Sequence, residues 1–150
     1  MPQSYAKLYY HIVFGTKDRV PQISDEMAPR LYEYFSGIFR NKACILAKAG
    51  GIADHVHLLA ILSREVSLSE MMRDVKTNSS KWIHDTFPGA EQFAWQRGYG
   101  AFTVGYRESG RVEKYIERQK EHHRSKTFQE EFVELLDEHD VEYDPQFLWE

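Results

Sequence analysis

Two short runs hold side chains whose type and spacing could do chemistry. In Asp54-His55-Val56-His57-Leu58-Leu59 one residue separates two histidines. Side chains two apart on a strand leave the same face with their bases roughly 7 Å apart, so both imidazoles can converge on one metal ion. Packed or exposed histidines would read the same way. About sixty residues on, Tyr115 and Gln119 stand four apart. On a helix they present a phenol and a neutral oxygen ligand one turn apart, although such a pair is also an ordinary surface feature. A helix packed on the open face of the sheet would bring all four together. Two imidazoles and an amide oxygen leave positions for a hard divalent cation and a phosphate oxygen. That arrangement suits phosphoryl transfer: the metal polarises the scissile phosphate and the phenol attacks phosphorus. A free phenol has a pKa near 10, so it needs the metal or a nearby base to react at neutral pH.

The elements that must position these residues follow from patterning. Residues 5 to 16 (YAKLYYHIVFGT) alternate as a strand, with Leu8, Tyr10, Ile12 and Phe14 on one face. His11 lies on the other face, either near a site or in packing. Ser24 offers an N-cap before Asp25 and Glu26, and Met27, Leu31, Phe35 and Ile38 recur at helical spacing up to about Asn41. Residues 43 to 49 read as a strand, Gly50 and Gly51 as a turn, and residues 54 to 62 as a strand burying Val56, Leu58 and Ala60. Ser67 and Glu70 have capping-box spacing and open a helix with an apolar stripe through Leu68, Met72, Val75, Ser79 and Trp82, closed by Pro88 and Gly89. Residues 100 to 106 suit a further strand, and Ser109 and Gly110 lead into a helix over about 111 to 123. Phe128, Phe132 and Leu136 mark one more helix.

The first six elements match the ferredoxin-like split β-α-β arrangement, an α+β fold in which an antiparallel sheet carries two helices on one face and leaves the other for a site. A tyrosine-bearing helix and a C-terminal helical extension follow. Residues 1 to 125 read as the catalytic domain, with 18 Lys and Arg against 14 Asp and Glu. Residues 126 to 150 read as an acidic extension, with Lys126 against nine acids. The formal charge of −4 therefore does not exclude a nucleic-acid partner, and the tail is expected to stay off DNA.

"DHVHLL" on a strand, "SSKWI" in the next helix, "GYGAF" before the last strand and "YIERQKEHHR" in the helix after it resemble the single-tyrosine HUH (His-hydrophobe-His) transposases of small bacterial insertion sequences, including those associated with repetitive extragenic palindromes. The resemblance runs from "YHIVFGTK" to "EYDPQFLWE". It implies that His55, His57 and Gln119 hold a divalent metal, Mg²⁺ or Mn²⁺, and that Tyr115 is the nucleophile. It further implies cleavage of single-stranded DNA to a 5′-phosphotyrosine and a free 3′-hydroxyl, rejoining without a nucleotide cofactor, and a homodimer bound to DNA hairpins. Many relatives have Asn before the Gln, where this chain has Arg118. Tyr115 has no second tyrosine on its helix, unlike the two-tyrosine replication initiators.

Lys76, Ser79, Ser80 and Lys81, with Lys17 and Arg19, could contact phosphates without reading sequence, or could simply form a solvated face. Trp82 and Trp95 could stack on unpaired bases, with core packing the other reading for Trp82. His122 shares a face with Tyr115 and so could be a ligand or phosphate contact, but in "EHHRSK" at a helix end His122 and His123 read as dipole-favoured or exposed.

Composition narrows the setting. The single cysteine, Cys44, forms no internal bridge, no apolar run approaches a membrane span, and no signal-peptide order is present, so a cytoplasmic, nucleoid-associated bacterial protein is expected. Metallo-β-lactamase-like hydrolases need further Asp and His just after the pair, where Leu58, Leu59 and Ala60 stand, and amidohydrolase barrels need a longer chain. Readings from another class are a non-catalytic, domesticated hairpin-binding protein and a ferredoxin-like RNA-binding module. The intact set of His55, His57, Tyr115 and Gln119 argues against the first, while the second predicts exposed aromatics on central strands and tolerance of changes to Tyr115.

Overall fold

The computed structural model describes residues 3–150. Its elements run β1 (Leu8–Gly15), α1 (Met27–Asn41), β2 (Ile45–Ile52), β3 (His55–Leu62), α2 (Leu68–Thr86), β4 (Gly100–Val104), α3 (Ser109–Glu117), α4 (Gln119–His122) and α5 (Phe128–Glu138). The strands form one sheet in the order β2-β3-β1-β4, and every neighbouring pair is antiparallel. This is the ferredoxin-like arrangement, α+β as expected.

Strand alternation divides the sheet into two chemically different faces. Ile12, Phe14, Val56, Leu58 and Ala60 point to one side and meet Leu31, Phe35 and Phe39 of α1 and Met71, Met72 and Val75 of α2 in the main core. The opposite side carries His11, Val13, His55 and His57. There Val13 and Phe102 are covered by Phe128, Phe132, Leu135 and Leu136 of α5, a smaller second core. The helix Ser109–Glu117 lies over β2 and β3 on that same side. The histidines therefore sit in the seam between α3 and α5.

Local chemistry accounts for the element ends. The Ser67 hydroxyl accepts from the Glu70 backbone N–H, as the capping spacing requires, but the Glu70 carboxylate turns to Lys42 instead of closing the box. At the start of α5 the box is complete, between Thr127 and Glu130. Gly50 and Gly51 are not the turn that their type suggests. Both lie inside β2, paired with His57 and Val56 of β3, and only glycine fits: a Cβ on Gly50 would stand 2.5 Å from the Ile116 carbonyl oxygen and one on Gly51 would stand 2.2 Å from the His55 carbonyl oxygen. Glycine lets the backbone of α3 rest directly on the sheet. The expected 111 to 123 helix is broken at Arg118, whose ψ of 18° ends α3 and lets α4 begin at Gln119.

Gly50→Ala is expected to destabilise the protein by about 1–3 kcal/mol, since backbone cannot yield as a flexible side chain can. Gly37→Ala, at a helical site whose nearest neighbour would be the tip of Arg40 at 3.8 Å, should be neutral or stabilising. Thermal unfolding of the two variants checks the contrast; equal melting temperatures would contradict the close approach.

Candidate active site

β3 aims both imidazoles at one point because His55 and His57 are two residues apart on a regular, fully paired strand. Both side chains are fully buried. Each is held at its far nitrogen. His55 Nδ1 lies 2.8 Å from Asp54 Oδ1, and its ring stacks on Phe128 at 4.2 Å between centroids. His57 Nδ1 lies 2.8 Å from Nε2 of His11, which crosses from β1.

The near nitrogens meet a residue from α5. Glu131 Oε1 stands 3.2 Å from His55 Nε2, 3.0 Å from His57 Nε2 and 3.0 Å from His123 Nε2. Gln119 Oε1 lies 2.9 Å from His55 Nε2 and 3.0 Å from His123 Nε2, and Gln119 Nε2 donates to Glu131 Oε2 at 2.9 Å. The Tyr115 hydroxyl donates to the same Oε2. One carboxylate thus joins three imidazoles, the amide and the phenol. No buried side-chain nitrogen or oxygen among the described residues is left without a partner.

The charges follow from these contacts. Burial would raise Glu131, but the hydrogen bonds from His123, His55 and His57 outweigh it and hold its carboxyl far below the usual range. Burial would lower His55, yet Asp54 and Glu131 raise it from 6.5 to about 9. Burial dominates elsewhere, taking His57 to about 4 and His11 to about 3. Burial and the Glu131 hydrogen bond push the Tyr115 phenol well above its ordinary value. The resting site holds its proton on the tyrosine.

These shifts predict a stability maximum near neutrality. A group raised in the folded state stabilises below its unfolded pKa, so the His55 contribution should fade as pH rises from 6.5 through about 9. Histidines depressed in the folded state act oppositely: those of His57 and His11 should fade as pH falls from 6.5 to between about 4 and 3. Glu131 adds to the acid-side loss below the ordinary carboxyl range. Thermal melts of metal-free protein between pH 4 and 9 should peak near 6.5 to 7; a melting temperature flat from 6.5 to 9 would remove the charge assigned to His55.

The donor set fits a divalent cation. Among the described residues, His55, His57 and Glu131 form a group whose ligating atoms lie within 4.8 Å of one another, and all three are buried. Imidazole nitrogens with a carboxylate and an amide oxygen form a borderline donor set that accepts Mg²⁺, Mn²⁺ or Zn²⁺. A cavity of about 350 Å³ opens beside Tyr115, lined by His11, Thr103, Arg111, Leu135 and His139 among others.

His55, His57, Tyr115 and Gln119 are therefore brought together, within one chain. The expected phosphate contacts are not. Lys76, Ser79, Ser80 and Lys81 belong to α2, across the sheet from the histidines. The Lys76 ammonium donates to the carbonyls of Gln96, Arg97 and Gly98 at 2.7, 3.0 and 2.6 Å, and burial lowers it to about 8. Ser79 is completely buried and accepts from Trp95 Nε1 at 2.9 Å, so it cannot reach a phosphate. Lys81 remains exposed and Ser80 is half-buried. Lys17 and Arg19 sit in the 3-10 turn after β1, with the Arg19 guanidinium over the Trp149 ring. Trp95 is packed against Phe14 and Phe93, and Trp82 stacks on Tyr34, so neither is a free base platform.

Two members of the site, His123 and Glu131, escape the sequence reading, and a third, His11, takes the site side of the two readings left open for it. His123 faces Gln119 and Glu131 rather than solvent. His11 engages His57. Glu131 comes from the segment read as an acidic extension, where its signal was an acid on the apolar stripe of Phe128, Phe132 and Leu135, a position that an exposed charge does not take.

Comparison with known proteins bears on this arrangement. A family model described as "Transposase IS200 like" matches residues 4–119, ending at Gln119 and short of His123 and Glu131. The transposases for insertion sequence element IS200 of Salmonella typhimurium (strain LT2) and Salmonella typhi are each 30% identical over 118 residues, covering 75% of this chain and 76% of theirs. A transposase candidate from Deinococcus radiodurans R1 superposes with a TM-score of 0.63 at 25% identity, covering 79% of this chain and 96% of its own. A REP-associated tyrosine transposase bound to a REP hairpin has a TM-score of 0.62 at 14% identity, covering 82% and 73%, and so shares the fold.

Proposed function

The chain belongs to the IS200-like transposases, single-tyrosine HUH enzymes of small bacterial insertion sequences, and from that premise we propose that it cleaves and rejoins single-stranded DNA at hairpin-bearing ends through a 5′-phosphotyrosine. The observation that carries the reading is the meeting of the Tyr115 hydroxyl with His55, His57 and Gln119 through one carboxylate.

A divalent cation held by His55, His57, Glu131 and Gln119 would polarise the scissile phosphate and steady charge on the departing 3′ oxygen. Tyr115 Oη attacks phosphorus, the bond from phosphorus to the 3′ oxygen breaks, and that oxygen takes up a proton as the 3′-hydroxyl. At rest Glu131 Oε2 accepts from the Tyr115 hydroxyl and so orients it; the phenol gives up that proton as the new bond forms and the departing 3′ oxygen takes one up, so the protons balance, and the reverse holds when a 3′-hydroxyl attacks the link. The phosphodiester energy stays in the phosphotyrosine, so joining needs no nucleotide cofactor. Exposed Arg111 and Lys114 of α3, Arg118 at the break and Lys120 of α4 border Tyr115 and Gln119, and would supply the phosphate contacts that α2 does not.

On this reading residues 1–125 form the transposase scaffold, and the 126–150 segment contributes Glu131 from α5. A homodimer would hold two DNA ends while each chain works with its own tyrosine. No helix among the described residues is long and apolar enough to cross a membrane, and the place of action would be the bacterial nucleoid.

The test is incubation with labelled single-stranded hairpins taken from the DNA flanking the gene, with Mg²⁺ or Mn²⁺. A denaturation-resistant protein–DNA adduct is expected. Tight hairpin binding without an adduct at any flanking end would instead make the protein a binding module.

A further inference from the structure

The two paired histidines are oriented by different chemistry. Behind His55 stands Asp54, whose carboxylate only accepts. Behind His57 stands another imidazole, His11, with Nε2 2.8 Å from His57 Nδ1, ring centroids 5.1 Å apart and ring planes tilted by 27°, an end-on geometry that suits a direct N–H···N hydrogen bond. An imidazole can donate or accept at the same nitrogen, depending on its tautomer. That difference matters because the hydrogen on His57 must change place between two states.

Without a cation, His57 Nε2 faces Glu131 Oε1 at 3.0 Å. An ionised carboxylate only accepts, so Nε2 carries the hydrogen, Nδ1 presents its lone pair, and His11 Nε2–H donates to it. To ligate a cation, Nε2 must present the lone pair instead. Its hydrogen then lies on Nδ1 and needs an acceptor. A carboxylate in the place of His11 would accept but could not donate in the first state; a lysine would do the reverse.

We propose that His11 is a positioning residue whose reversible hydrogen bond lets His57 pass from partner of Glu131 to ligand of a divalent cation while its ring stays held. The proposal rests on the metal reading above. The protons balance: one leaves His57 Nε2, one passes from His11 Nε2 to His57 Nδ1, and one enters at His11 Nδ1, so neither ring changes charge. The last site is accessible. His11 lines the cavity beside Tyr115, its Nδ1 makes no hydrogen bond to any described residue, and no buried side-chain nitrogen among the described residues lacks a partner, so Nδ1 opens on that cavity. Neighbouring rings fix the orientation, with Phe102 and Tyr115 edge-on to His11 at 6.2 and 5.9 Å.

The experiment compares wild type, His11→Phe and His11→Gln. Phenylalanine keeps the ring and removes the hydrogen bond; glutamine supplies an amide that turns to donate or accept. Calorimetric titration with Mn²⁺ should show affinity weakened about 10- to 100-fold in His11→Phe, the usual scale for an outer partner of a metal-bound histidine, and largely restored in His11→Gln. Two-bond ¹H–¹⁵N spectra of wild type should show the Nε2–H tautomer of His57 without metal and the Nδ1–H tautomer with Zn²⁺. Mn²⁺ affinity unchanged in His11→Phe, or lost equally in His11→Gln, overturns the proposal, as does a His57 tautomer that does not move. If wild type takes up no divalent cation, the metal reading itself fails; uptake indifferent to His11→Phe removes this inference alone.

Discussion

Tyr115→Phe is expected to bind a cognate hairpin as wild type does and to form no covalent adduct, a loss of about 10⁴-fold or more, the scale on which removal of a covalent nucleophile acts. The substitution deletes one oxygen. The ring keeps its edge contacts with His57 and His11 at 5.6 and 5.9 Å and its packing on His122 at 4.6 Å, so the helix has no reason to move. Glu131 Oε2 still accepts from Gln119 Nε2, so no buried acceptor is orphaned. Binding therefore reports the surface while adduct formation reports the hydroxyl. Covalent capture retained by the variant, read on a denaturing gel with labelled hairpin, would exclude Tyr115 as nucleophile.

The second large effect is expected from His57→Ala, in which divalent-metal affinity and cleavage should fall together by about 100-fold or more, since a direct ligand matters at least as much as its outer partners. Removing this ring also deprives Glu131 of one hydrogen-bond donor and leaves His11 Nε2 facing a void. An unsatisfied buried group costs about 1–3 kcal/mol, so the melting temperature should drop as well. Assays well below the midpoint separate the two losses. A metal titration identical to wild type, in a variant that still folds, would remove His57 from the ligand set.

How early each part could be read depends on how local its cause is. The strand–helix order and the two-sided character of β3 follow from periodicity within about ten residues, which is why Val56, Leu58 and Ala60 could be assigned to the core from spacing alone. His55 and His57 share a face by the same geometry, and Tyr115 and Gln119 by helical spacing. Their meeting needed only the assumption that α3 packs on the open face, which Gly50 permits by lacking a Cβ. Where causes are not local the reading failed. The two glycines look like a turn in isolation and are strand because they pair with His57 and Val56 of β3, where their lack of a Cβ also leaves room for α3. Ser79 and Lys76 look available for phosphate on a helix drawn alone, and are taken up by Trp95 and by three carbonyls about twenty residues away.

The sequence by itself determined the alternation, the Ser67 cap of α2, the histidine pair and the lone tyrosine, together with the family likeness that those motifs carry, because each is a property of residues a few positions apart. Only the tertiary structure decided that an acidic helix outside the family match would bring Glu131 into the centre, that His123 would turn inward, and that His11 would stand behind His57. Those residues come from strands and helices distant in the chain, and their company is set by how the second sheet face is covered; a buried carboxylate is held there only because three imidazoles, an amide and a phenol converge on it from other elements.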